Sequence, residues 1–250
     1  GVLAGDKILM IDGEETYSLS IEEAVAKIRG ERGTKVKLSV FRESFTVPQD
    51  IEIVRDTIKL DNIKFEIKDG VAYLALYSFN EEAVPEFRKK VDEAVAANVK
   101  GFIFDLRNNP GGFLDASVKI AGEWVENGAV VVVESDKQGN EKKHLTQGRH
   151  LLKGMPTVVL INQGSASASE IVAGALQDYG KAKLVGMKSF GKGSMQDFEF
   201  LPDGSGLKLT IAEWLTPNGR QINEKGIEPD VKVEIELPKD FLSVSEIKDI

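Results

Sequence analysis

The chain has 250 residues, of which 42% are hydrophobic and 29% charged, with a net charge of −8 and a pI near 5.1. That balance argues against a nucleic-acid backbone as partner, because counterion release needs clustered Lys and Arg, and no apolar run reaches the roughly 18–20 residues that span a bilayer. With no cysteine, disulfides, thiolate metal sites and a cysteine nucleophile are excluded together, which suits an extracytoplasmic protein.

The opening residues, GVLAGDKILMIDG, already read as packed protein, so the amino terminus reads as cut and the lack of a signal peptide says little about location. Residues 6–13, DKILMIDG, alternate towards a turn at Asp12-Gly13 and predict a strand. Ser20, with Glu23 three residues on, forms a capping box that opens an amphipathic helix closed by Gly30. TKVKLSVFRE (34–43) then alternates like a half-exposed strand. This strand–helix–strand unit ends near residue 47, where Val47-Pro48-Gln49-Asp50 punctuates the chain.

From residue 51 the pattern becomes that of an α/β protein. Predicted strands are IEIVR (51–55), NIKFEIK (62–68), VAYLALYSF (71–79), GFIFDL (101–106), AVVVVES (129–135), TVVLIN (157–162), KLVGM (183–187) and LKLTIAEWLT (207–216). Helices are predicted over 80–98, 114–125 and 168–179. Short apolar strands alternating with helices indicate a mostly parallel sheet covered on its faces. The last residues, 237–250, read as a short, loosely packed helix. His144 and His150 lie in a charged stretch that reads as a solvated loop. They have no third ligand at the spacing of HExxH and no obvious acidic orienter for a Ser-His-Asp triad.

Three segments carry chemistry. In LRNNPGGFLD (106–115), Asn-Pro-Gly-Gly forces a turn after a buried strand. It is either a plain strand-to-helix connection or half of an oxyanion hole, with glycine amides open to close approach. In INQGSASASE (161–170) a helix starts among Ser165, Ser167 and Ser169. A serine there is either an N-cap or a nucleophile displayed at the carboxyl end of the sheet, with the Ala168 amide pointing outward. In KSFGKGSMQ (188–196), Gly191 and Gly193 flank Lys192. The segment lacks the GxxxxGK[ST] spacing of a phosphate loop and, taken alone, reads as a surface lysine in a glycine turn. Taken together, a serine hydroxyl needs a base, and a lysine held neutral can serve.

The string GSASASEIVAGALQDYG followed by FGKGSMQ, with NPGGFLD upstream and LTPNGRQINEKGIEPDV downstream, closely resembles the C-terminal processing (tail-specific) serine proteases. The resemblance covers about residues 50–235 in unbroken motif order, and residues 1–47 resemble the PDZ domain that these enzymes carry. It implies a crotonase-like α/β protease core over 63–236, with 48–62 as linker and start of the core and 237–250 as a tail. The PDZ domain would be partial, because the carboxylate-binding loop and strand that precede GDKIL in the family are not in this chain. By the same resemblance Ser167, the middle serine of SASAS, is the nucleophile and Lys192, 25 residues later, the base. Gln196 orients the lysine, and the oxyanion amides are those of Ala168 and of Gly111 or Gly112. Ser165 and Ser169 then shape the turn. The implied reaction is endoproteolysis of protein or peptide substrates near a free carboxyl terminus, through an acyl-enzyme, with no metal or organic cofactor, outside the cytoplasm. The alternatives are a non-catalytic ligand- or peptide-binding relative of the same fold, a scaffold working through its PDZ-like part, and a crotonase-type acyl-CoA enzyme that would leave the serine–lysine pair unexplained.

Overall fold

In the computed structural model, which describes residues 2, 5–42, 44–57, 61–201 and 205–233, the alternating strands of the first unit pair in an antiparallel sheet. Its strands are β1 (Lys7–Ile11), β2 (Glu14–Glu15), β3 (Lys35–Phe41) and β4 (Gln49–Val54), in the order β2-β1-β3-β4. The two-residue period of β3 buries Val36, Leu38 and Val40 and leaves Lys35 and Lys37 exposed. The helix α1 (Ile21–Ile28) opens on the expected box: Glu23 N–H donates to Ser20 Oγ and Ser20 N–H to Glu23 Oε2. It stops two residues before Gly30, with Arg29 as C-cap. Ala24 and Ile28 of α1 pack on Ile11, Val36, Leu38 and Val40. The segment 48–62, expected as linker and start of the core, holds β4, which pairs with β3 from Lys35–Val54 to Val40–Gln49. Ile51 and Ile53 turn into the small core, so this strand belongs to the first unit, which ends at Leu60.

The second unit begins at Asp61. Its elements are β5 (Ile63–Lys68), β6 (Val71–Leu76), α2 (Ala83–Ala96), β7 (Gly101–Asp105), α3 (Leu114–Ala121), β8 (Val130–Asp136), β9 (Glu141–Leu145), β10 (Thr157–Ile161), α4 (Ala168–Asp178), β11 (Lys183–Gly186), β12 (Ser194–Phe200), β13 (Gly206–Leu215) and β14 (Val231–Lys232). A six-stranded sheet runs in the order β14-β11-β10-β7-β6-β5, parallel except for β5. A second, antiparallel sheet, β12-β13-β8-β9, accompanies it. Two of its strands, EKKHL and SMQDFEF, come from segments too polar to read as strands.

The core lies on one face of the six-stranded sheet, where Leu74, Phe102, Phe104, Val159 and Leu184 meet Phe87 of α2 and Ile171, Val172 and Leu176 of α4. The residues that alternate with these, among them Tyr73, Ile103 and Val158, are half-buried. Phe104 stacks on Trp124 at 5.7 Å and packs against Phe87 at 5.2 Å. The Trp124 indole N–H donates to Thr157 Oγ1 at 2.9 Å, which satisfies the ring's one polar atom. Residues 237–250 lie outside the described residues.

Candidate active site

Strands β7 and β10 are parallel neighbours, with Leu160 opposite Asp105. The loops that leave their carboxyl ends, 106–113 and 162–167, therefore emerge side by side. That is the edge at which open α/β sheets place their sites. Asn108 and Asn162 cross-link the loops: Asn108 N–H donates to Asn162 Oδ1 and Asn162 Nδ2 to Asn108 Oδ1, each at 2.9 Å.

The three serines take separate roles. Ser165 Oγ donates to Leu106 O at 2.8 Å and accepts from Asn162 N–H at 3.0 Å. Ser169 Oγ donates to Asn109 O at 2.9 Å. Both are fully buried and clamp one loop to the other. Ser167 is half-buried at the N-cap of α4, with φ 55° and ψ −117°. Such backbone geometry costs about 1–3 kcal/mol in a residue with a Cβ and persists only where the surroundings impose it. At a strand-to-helix turn it displays the side chain above the sheet.

Beside this turn lie Gly111 (φ 98°) and Gly112 (φ 142°), and neither position has room for a Cβ. One on Gly111 would sit 2.8 Å from both Ser167 Cβ and Ala168 N, and one on Gly112 would sit 2.4 Å from Phe79 O. Phe79 N–H donates to Gly111 O and Phe113 N–H to Phe79 O, so the glycine pair is laced to the chain just beyond β6. Gly111 N–H donates to Asn109 Oδ1 at 2.9 Å. Among the described residues, no acceptor takes the N–H of Gly112 or of Ala168.

The lysine loop is held by a group that the motif reading passed over. Glu170, at the third position of α4, is completely buried. Its Oε1 accepts from Ser189 Oγ and Gly191 N–H, each at 2.6 Å. Its Oε2 accepts from Ser167 N–H and Lys192 N–H, each at 2.9 Å. Four donors, together with the positive end of the helix, offset the cost of burying a carboxylate. One oxygen thus holds the backbones of Ser167 and Lys192 together. The loop is further fixed by Phe190 N–H to Ser165 O, Glu224 N–H to Gly191 O and Trp214 N–H to Gly193 O. Ser167-Ala-Ser-Glu170 repeats the S-x-x-E pattern of Ser20–Glu23, which marks a glutamate turned back to the N-cap but carries no sign of its burial under the lysine loop.

The side chains of the expected dyad are not joined, although the two backbones share Glu170 Oε2. Lys192 and Gln196 are exposed, and no hydrogen bond links Ser167 Oγ, the Lys192 amine and the Gln196 amide among the described residues. Gln196 lies on β12 opposite Thr210, beside a bulge at Met195/Gln196.

His144 departs from the expected solvated loop. It lies half-buried on β9, 3.2 Å from Glu134 Oε2, with its ring edge-on to Trp214. The pairing of Val132 with His144 puts Glu134, two residues along β8, on the same face, a tertiary partner invisible in linear sequence.

At the root of the 106–113 loop, Asp105 accepts Tyr73 OH at 2.7 Å and is gripped by Arg107 Nε and Nη2. Burial opposes charge on Asp105, but hydrogen bonds from the Arg107 side chain and backbone and from Tyr73 outweigh it, so the carboxyl is held below its ordinary range. Burial first, then the bond to Asp105, pushes the Tyr73 phenol up to about 12.

Residues 70–233 match the model of peptidase family S41, and residues 1–42 match that of a PDZ domain. A carboxy-terminal-processing protease of Bartonella bacilliformis is 39% identical over 245 residues, covering 96% of this chain and 56% of the relative. A carboxyl-terminal-processing protease of Picosynechococcus is 41% identical over 234 residues, covering 92% and 56%. The carboxy-terminal processing protease CtpA of Bacillus subtilis is 38% identical over 237 residues, covering 94% and 50%. The chain thus spans about half the length of the curated relatives it matches. Among solved structures, a photosystem II D1 C-terminal processing protease matches with a TM-score of 0.69 at 30% identity, over 96% of this chain and 66% of that one.

Proposed function

Because the chain belongs to peptidase family S41, we propose that it is the catalytic part of a serine endopeptidase that cleaves protein substrates near a free carboxyl terminus. The observation that carries this reading is the single Glu170 oxygen on which the backbones of Ser167 and Lys192 meet. Ser167 Oγ attacks the substrate carbonyl and Lys192 accepts its proton, with Gln196 accepting a hydrogen bond from the lysine amine. The carbonyl oxygen, becoming negative, is held by the Ala168 amide and by one from the Gly111-Gly112 pair. The proton then passes from Lys192 to the departing amine, leaving an acyl-enzyme on Ser167 that water hydrolyses. The Lys192 side chain is exposed, and this reading requires its amine to reach Ser167 Oγ during the cycle.

The test is incubation of the chain with an unfolded protein, with fragments read by mass spectrometry, beside Ser167→Ala and Lys192→Met. Fragments from the wild type alone support the reading; fragments from Ser167→Ala, with contamination excluded, overturn it. Peptides that differ only in a free or amidated carboxyl terminus decide the finer part. Equal cleavage of both would remove tail recognition from the proposal.

A further inference from the structure

Asn109 is fully buried, and its side-chain amide is used at both ends. Nδ2 donates to Leu76 O, the last carbonyl of β6, at 2.7 Å, and Oδ1 accepts from Gly111 N–H at 2.9 Å. The backbone of the same residue reaches the other side of the site. Its carbonyl accepts from Ala166 N–H at 3.0 Å and from Ser169 Oγ at 2.9 Å, the residues on either side of the Ser167–Ala168 pair. One side chain and one carbonyl therefore tie together β6, the glycine pair and the nucleophile's turn.

This wiring decides which amide can serve the reaction. The Gly111 N–H points into Oδ1 of Asn109 and is occupied. The next peptide unit is fixed through its other end, because Gly111 O accepts from Phe79 N–H at 2.9 Å. In a trans peptide the N–H lies opposite the C=O, so the Gly112 N–H must point away from Phe79. Gly112 is exposed, and Gly111 packs directly on Ser167 Cβ and Ala168 N.

We propose that Asn109 is a positioning residue that aims the Gly112 amide, rather than that of Gly111, at the oxyanion beside Ser167. This rests on Ser167 being the nucleophile. Asn109 touches no substrate: it holds one N–H out of the site and, by anchoring the loop to β6, keeps the next one in.

The experiment uses the chain as it is, with a peptide boronic acid as probe, since boron bonded to Ser167 Oγ becomes tetrahedral and places an oxygen where the oxyanion forms. In wild-type protein labelled with 15N, adduct formation should shift the amide resonances of Gly112 and Ala168 downfield and leave that of Gly111 little changed. Asn109→Ala and Asn109→Asp should lower kcat by about 10²-fold, the range for loss of one oxyanion donor, with KM changed less than about threefold. Boronate affinity should fall in step with kcat. Affinity for an uncleaved peptide, measured on Ser167→Ala with and without the second change, should stay constant. In Asn109→Asp the ratio of variant to wild-type rate should rise as pH falls, because a protonated carboxyl can again donate to Leu76 O while its carbonyl oxygen accepts from Gly111. A downfield shift at Gly111 in place of Gly112 overturns the inference, even if both variants fail to fold. So does an Asn109→Ala protein with wild-type kcat, or one that loses peptide and boronate affinity equally. Failure of the nucleophile reading shows separately, as the absence of any adduct on Ser167, and takes the inference with it.

Discussion

Ser165 and Ser169 direct their hydroxyls at carbonyls of the neighbouring loop, to which Ser167 makes no such bond among the described residues. Ser165→Ala and Ser169→Ala should each lower stability by about 1–3 kcal/mol, because each leaves a buried carbonyl without its donor, and keep measurable turnover. Ser167→Ala should lose all turnover with its urea midpoint unchanged, and urea midpoints beside peptide assays check both. Glu170→Gln replaces an acceptor of four bonds by a group that must point N–H at N–H. It should cost about 3 kcal/mol or more and most of the activity, and a midpoint within error of wild type would refute the clamp. None of this burial was legible in the sequence, since a glutamate in the first turn of a helix is ordinarily a solvated charge favoured by the helix dipole. Only the fold shows that the lysine loop closes over it. Asp105 gives a pH signature. Its folded pKa lies below the unfolded value, so its contribution to stability is present above about pH 4 and is lost as pH falls through the lowered folded value. Asp105→Asn should be less stable at pH 7 and show a shallower decline on acidification. Denaturant midpoints from pH 7 to pH 2 measure it, and parallel curves for the two proteins would contradict it.

Secondary structure was readable wherever one face of an element is buried and the other is not. The alternation of β3, the apolar runs of β7 and β10 and the period of α4 marked those elements within a few residues. The strands β9 and β12 escaped because nearly all of their residues are exposed or half-buried. A strand held by backbone ladders alone leaves no hydrophobic pattern. β4 has the alternation of a strand, but the Pro48 punctuation before it resembles a boundary, whereas its partner β3 places it in the first unit. The ring cluster beneath β7 supplies a prediction for this scale. Phe104→Ala, which empties a site shared with Phe87 and Trp124, should cost about 3–5 kcal/mol. Guanidinium unfolding followed by Trp fluorescence reads it, and a loss below about 1 kcal/mol would mean that the cluster repacks.

Among the described residues, hydrophobic burial falls into two cores with no residue in common: one drawn from Ile8 to Ile53, the other from Ile63 to Ile227. A unit of about 60 residues is marginal alone, so unfolding should not be two-state. Calorimetry should resolve two transitions. Leu38→Ala should shift or abolish only the one belonging to the first unit, and a single transition moved as a whole would show the cores to be coupled. Tyr73, Asp105, Asn109, Gly112, Ser167, Glu170 and Lys192 all lie beyond Leu60, where the first unit ends. The seam at Leu60–Asp61 therefore has a meaning for descent as well as for folding. A crossover there exchanges what precedes Asp61 in one event and severs none of the bonds that hold Ser167, Lys192 and the glycine pair, so lineages can vary one unit while inheriting the other's wiring whole.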